Sequence, residues 1–284
     1  MPRKPWTQAA ERLRRPPARP LLAPAARPLA AGLAAVCVAV IVFLGALFMH
    51  QRRPEGLDRA IDTRIRASLG WHHGLLDLVA GIGDPATVTV MTVALIVACL
   101  ATRRWHGAVL AAVAVPLASA LTELLLKPLI DRTMQGALSY PSGHSTGMFA
   151  LAGVCAVLLT GPSRPALPAA ARVPLTLVAY LAASAVAVAL IGLGAHYFTD
   201  TVAGAAVGTA IVLVTAVILD RLGRPTSALR SAAGQPVPAP AGRKLVPADV
   251  SAAAGGPRPR GPADPADWPA RTGRVTGSRS QCSR

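Results

Sequence analysis

Residues 29–49 read LAAGLAAVCVAVIVFLGALFM, 21 residues without a charge. As a helix at 1.5 Å per residue this stretch spans roughly 31 Å, the thickness of a bilayer core. It is followed by His50-Gln51-Arg52-Arg53-Pro54 rather than a small-residue cleavage site, so it reads as a retained anchor and not a signal peptide. Five more apolar runs follow: Ala86–Thr102, Gly107–Leu126, Ser145–Thr160, Val173–Gly194 and Thr201–Leu219. The composition agrees. Only 15% of the 284 residues are charged against 52% hydrophobic, whereas soluble domains carry about 25% charged residues. The expected fold class is all-α, a six-transmembrane-helix bundle over residues 29–220, with disordered basic tails at 1–28 and 221–284.

The formal net charge of +16 sits mainly in those tails. No aromatic interleaving accompanies it, so no nucleic acid is expected as a partner. Six spans place both termini on one side. The segments on that side carry 22 Lys and Arg, and the opposite loops carry 7. By the positive-inside rule both termini are expected in the cytoplasm and the opposite loops outside the inner membrane. The tail beyond Gly223 is rich in Pro, Ala, Gly and Arg and is given no chemistry. Cys37, Cys99 and Cys155 lie in apolar runs and Cys282 near the chain end. None has metal-ligand spacing, and they read as small hydrophobes.

Between the first two spans, Leu57, Ile61, Ile65 and Leu69 recur every four residues with charges between them. This pattern predicts an amphipathic helix at the outer interface. Gly83-Asp84-Pro85 then opens the second span, with Asp84 as its cap.

Polar residues are scarce in the apolar domain and gather in two loops on one side. The first runs from Lys127 through Arg132 to Pro141-Ser142-Gly143-His144, at the start of the fourth span. Unpaired N–H groups at a helix start favour an anion. Ser142 adds a hydroxyl, Gly143 lets the backbone come close, and Lys127 and Arg132 supply positive charge. His144 can protonate a leaving oxygen. In the second loop His196 and Asp200 are four apart, on one face of a helix beginning there. A carboxylate on one imidazole nitrogen frees the other as a nucleophile. Glu123, four before Lys127, reads as its ion-pair partner. His72 and His73 are read as interfacial, without a catalytic role.

The combination of Lys127 with Arg132, Pro141-Ser142-Gly143-His144 and His196-x3-Asp200 resembles the type 2 phosphatidic-acid phosphatase superfamily, over about residues 29–220. The resemblance implies hydrolysis of a lipid phosphate or polyprenyl diphosphate with no cofactor and no metal. It implies attack by His196 to give a phosphohistidine, orientation by Asp200 and protonation by His144. Lys127, Arg132, Ser142 and Gly143 would hold the phosphoryl oxygens. The substrate partners would be membrane lipid phosphates, with undecaprenyl diphosphate among those that fit.

The chain departs from the family pattern twice. Met134-Gln135 stands where the family has Arg-Pro, and Ala189-Leu190 where it has Ser-Arg. Arg52, Arg53, Arg64 and Arg66 lie on the same side of the membrane, and the sequence leaves open which of them replaces a lost cation. The same departures keep open a catalytically weak or silent relative that acts as a lipid-binding or scaffold protein. Soluble vanadium haloperoxidases share the anion-binding pattern, but the six apolar runs count against them. A transporter or channel would want more charges within its spans.

Overall fold

The computed structural model describes residues 20–54, 56–162 and 167–223; the tails at 1–19 and 224–284, on which disorder was expected, lie outside it. A 3₁₀ turn at Pro24–Ala26 leads into helix α1 (Arg27–Phe48). Then come α2 (Gly56–Leu69), α3 (His73–Ile82), α4 (Pro85–Ala101) and α5 (Trp105–Ala120). A π-helical turn, Leu121–Leu126, carries α5 into the short α6 (Lys127–Ile130). Helices α7 (Gly143–Thr160), α8 (Ala169–Gly192) and α9 (Phe198–Leu222) complete the bundle.

Among the described residues, five helical segments are long and apolar enough to cross a membrane, and α3 with α4, bent by 43°, makes a sixth when counted as one span. The protein is an all-α integral membrane bundle. The bend falls at Gly83-Asp84-Pro85, where Pro85 occupies the first turn of α4. The second span therefore reaches back to His73, well before the apolar run at Ala86. The π turn precedes Pro128, whose missing N–H and ring disturb the ladder one turn earlier.

Helix α7 is the most enclosed span and packs against α9, α8 and α5. Its closeness to α9 rests on Gly204 and Gly208. A Cβ at either would fall 2.5 Å from the backbone oxygen of Ser142 or Thr146. Small residues four apart let two helix backbones meet where lipid gives no hydrophobic drive. The approach brings the starts of α7 and α9 side by side, so the two polar loops meet at one end of the bundle.

Three features differ from the sequence expectations. First, residues 20–28 were placed in the N-terminal tail, yet Leu21 and Leu22 are buried. Their N–H groups donate to Asp220 at 2.6 and 2.9 Å, and Arg27 pairs with the same carboxylate at 3.2 Å. The carboxylate of α9 thus ties the entry to α1. Second, residues 133–138 form a small antiparallel hairpin, Thr133 opposite Leu138 and Met134 opposite Ala137. Gln135 and Gly136 at its tip both have positive φ, as a type I′ turn requires. Third, α2 forms as expected but presents its acidic side to the protein: Asp58 and Asp62 are buried while Leu57 is exposed.

Candidate active site

The start of α7 carries the first loop's chemistry. Ser142 is the N-cap, its Oγ accepting from Ser145 N–H at 3.4 Å, and its own N–H donates to the Asp200 carbonyl at 3.0 Å. That last bond joins the two motifs directly. Lys127 Nζ donates to Glu123 Oε2 at 2.8 Å, the i,i+4 pair read from the sequence. The pair sits over Gly143. A Cβ there would fall 2.3 Å from Glu123 Oε1 and 3.9 Å from Lys127 Nζ. Gly143 is therefore what lets a cation and the helix start share one space.

The two histidines face each other across this space, ring centroids 6.5 Å apart at 62°. His196 is buried, its Nδ1 lying 3.9 Å from Asp200 Oδ2 and making no hydrogen bond. Asp200 is fully buried and already engaged: Oδ1 accepts from Arg132 at 2.6 Å and Oδ2 from the Tyr197 N–H at 3.2 Å. His144 has its own carboxylate, with Nε2 3.1 Å from Asp84 Oδ1. Sequence reasoning read Asp84 as a helix cap, with contact to a substrate headgroup as the lesser alternative. It stands at the N-cap of α4 but makes no side-chain cap bond, and turns to His144 instead. Spacing gave no sign of this, because the two residues are 60 apart in the chain.

Arg132 was expected among the phosphate-binding residues; its side chain is 0% exposed and held by the protein's own groups. It donates to Asp58 at 2.5 Å, Asp200 at 2.6 Å, Thr199 Oγ1 at 2.7 Å and Gln51 at 2.9 Å. The rings of Phe48 and Tyr197 flank it at 4.2 and 4.4 Å. Both Nη atoms of the guanidinium are thus spent on the protein's own groups, and only Nε is without a partner. Met134 and Leu190, at the positions where the resemblance would place arginines, are both buried, Leu190 within the main apolar core.

Asp58 and Asp62 were missed by the sequence reading. From α2 they cap the start of α9. Thr199 N–H donates to Asp58 at 2.9 Å and Phe198 N–H to Asp62 at 3.1 Å. The start of α9 is thus filled by the protein's own carboxylates. Burial pushes the Asp62 carboxyl up to about 6. The Phe198 N–H and Arg66 oppose that shift, and the charges of Asp58 and Asp200 add to it. Among the described residues, no group of three or more His, Cys, Asp or Glu could hold a metal ion.

A helical bundle of membrane-spanning segments with two histidines, a lysine and a helix start gathered at one end defines a class: integral membrane proteins with a polar cluster at one end of the bundle. Residues 28–224 match the model of the PAP2 superfamily, and the chain belongs to that family. A solved structure described as the first transmembrane PAP2-type phosphatidylglycerolphosphate phosphatase, from Bacillus subtilis, shares the fold. Its TM-score is 0.53 at 16% identity, over 64% of this chain and 93% of that one. No curated protein matches the sequence.

Proposed function

We propose that this chain is a membrane lipid phosphatase acting on a lipid phosphate or polyprenyl diphosphate through a phosphohistidine. The observation that carries the reading is the pair of histidines 6.5 Å apart beside the start of α7 and Lys127. Phosphoryl oxygens are held by the Gly143 backbone and by Lys127, which exchanges its Glu123 partner for substrate. Ser142 shapes this helix start as its cap. His196 Nδ1 faces Asp200, so the attacking atom is Nε2, and the new N–P bond forms as the P–O bond to the leaving group breaks. His144 gives its Nδ1 proton to the leaving oxygen while Nε2–H stays on Asp84. Water, deprotonated by His144, then attacks phosphorus and releases His196 and inorganic phosphate. Lys127 and the helix start supply the positive field, so the reaction is proposed to need no metal. The site faces outward from the cytoplasmic membrane, with both termini inside, on the charge bias of the loops.

A second reading rests on buried Met134 and Leu190: a silent relative that binds lipid phosphates without turning them over. Phosphate release separates the two. Purified protein in detergent micelles should release phosphate from long-chain lipid phosphates or diphosphates, should keep doing so in EDTA, and should be inhibited by vanadate. Substrate binding without release would defeat the enzyme reading. Loss of activity in EDTA restored by Mg²⁺ would defeat the metal-free mechanism.

A further inference from the structure

A cavity of about 580 Å³ opens beside the site, walled by Arg66, Trp71, His73, Gln135, Gly192 and Gly194. Arg66 is the cation the sequence could not single out. Arg52, Arg53 and Arg64 are exposed, whereas Arg66 is half-buried and donates through Nε to the Ile191 carbonyl at 3.2 Å. Its guanidinium therefore stands at the C-terminal end of α8, at the carbonyl one residue after Leu190, where the resemblance to the family would place an arginine. Gly194, with φ of +75°, lies alongside: a Cβ there would be in ordinary contact, 3.6 Å from the Arg66 guanidinium carbon.

The charge of Arg66 is not spent in an ion pair. Its Nη2 is buried and makes no hydrogen bond, and Asp62, one turn earlier on α2, feels its charge without forming an ion pair with it. Around the bundle end, other cations are spent on carboxylates: Arg132 on Asp58 and Asp200, and Lys127 on Glu123. A half-buried guanidinium on the wall of a cavity favours an anion that accepts in a fork. His196 follows Gly194 by two residues, so at most about 7 Å separates their Cα atoms. Trp71, 82% exposed at the rim, has the amphipathic ring that settles at the lipid headgroup level.

We infer that this cavity is a subsite for a second phosphoryl group, held by Arg66, and that the preferred substrate is a lipid diphosphate. The inference rests on the phosphatase reading and deepens it. A diphosphate places its terminal phosphoryl at His196 and its inner one against Arg66, which also steadies the lipid monophosphate that leaves. A lipid monophosphate fills only the first position.

The test compares wild type with Arg66→Gln on a lipid diphosphate and a lipid monophosphate of the same chain. For the diphosphate, KM should rise about 10- to 100-fold, the range for a lost charge-assisted contact, with kcat far less changed. For the monophosphate both constants should stay within about threefold of wild type. Arg66→Lys keeps the charge but not the fork and should fall between the two. If Arg66→Gln does not fold, the Lys variant decides by the same comparison. Equal effects on both substrates, or none on either, would overturn the subsite. If wild type turns over neither substrate, the phosphatase reading fails by itself. The subsite is then read by titrating pyrophosphate and orthophosphate. Tighter binding of pyrophosphate that disappears in Arg66→Gln supports it, and equal binding of the two anions by wild type overturns it.

Discussion

Replacing Arg132 with Gln separates a structural cation from a substrate-binding one. In the wild type two carboxylates, each 0% exposed, share this guanidinium: Asp58 at 2.5 Å and Asp200 at 2.6 Å. Removing one partner of a buried ion pair costs about 3–5 kcal/mol, because the remaining charge stays buried without compensation. Asp58 keeps the Thr199 N–H and hydroxyl, and Asp200 keeps the Tyr197 N–H, which favours the lower half of that range. For a domain of this size the loss lowers the unfolding midpoint by roughly 6–16 °C. The assay is thermal unfolding in detergent micelles, beside phosphate release measured well below the variant's midpoint. The double variant Asp58→Asn/Arg132→Gln removes one stranded charge and should regain part of the loss. A single variant with the wild-type midpoint and a raised KM would refute the reasoning and return Arg132 to the phosphate.

Further outcomes follow from the same geometry. His144→Ala should lose about 10²–10⁴-fold on lipid substrates and far less on an activated aryl phosphate, in steady-state phosphate release; equal losses would mean that His144 binds rather than protonates. Asp62, raised to about 6, holds its proton more tightly folded than unfolded. Its contribution to stability is therefore full below about pH 4 and is lost as pH rises through 6. Asp62→Asn should be the more stable protein at pH 7, with the difference fading as pH falls, read from unfolding midpoints across that range. For the facing of the site, a cysteine-free background carrying Gln135→Cys should react with a membrane-impermeant thiol reagent on intact cells, and one carrying Ser163→Cys should not; the reverse pattern would put the chemistry in the cytoplasm.

Much of this was written in the chain order. Long uncharged runs between polar loops can only be spans, and Pro141-Ser142-Gly143-His144 and His196-x3-Asp200 stand at helix starts that their own residues build. Less legible was the direction in which α2 faces. Its Leu and Ile recur every four residues, and so do Asp58, Asp62 and Arg66 on another side. Periodicity shows that two stripes exist but not which one the bundle takes. The decision comes from the start of α9, whose free N–H groups need carboxylates more than the bundle needs another leucine. The partners of Arg132 were hidden for a related reason. An arginine beside an anion motif reads as a ligand until Asp58, 74 residues away in the chain, is seen to hold it. Asp84 and His144 meet only because α4 leans against the start of α7. The hairpin at 133–138 is too short to leave an alternating pattern.

The account stands most directly on the nucleophile. Purified protein mixed with a lipid phosphate labelled at the scissile phosphorus, and quenched in alkali within its turnover time, should carry label that is stable to base and released by acid. Peptide mapping should place that label on His196, and His196→Ala should show neither label nor turnover. Rapid phosphate release by wild type with no labelled protein at any quench time, or undiminished release by His196→Ala, would contradict it.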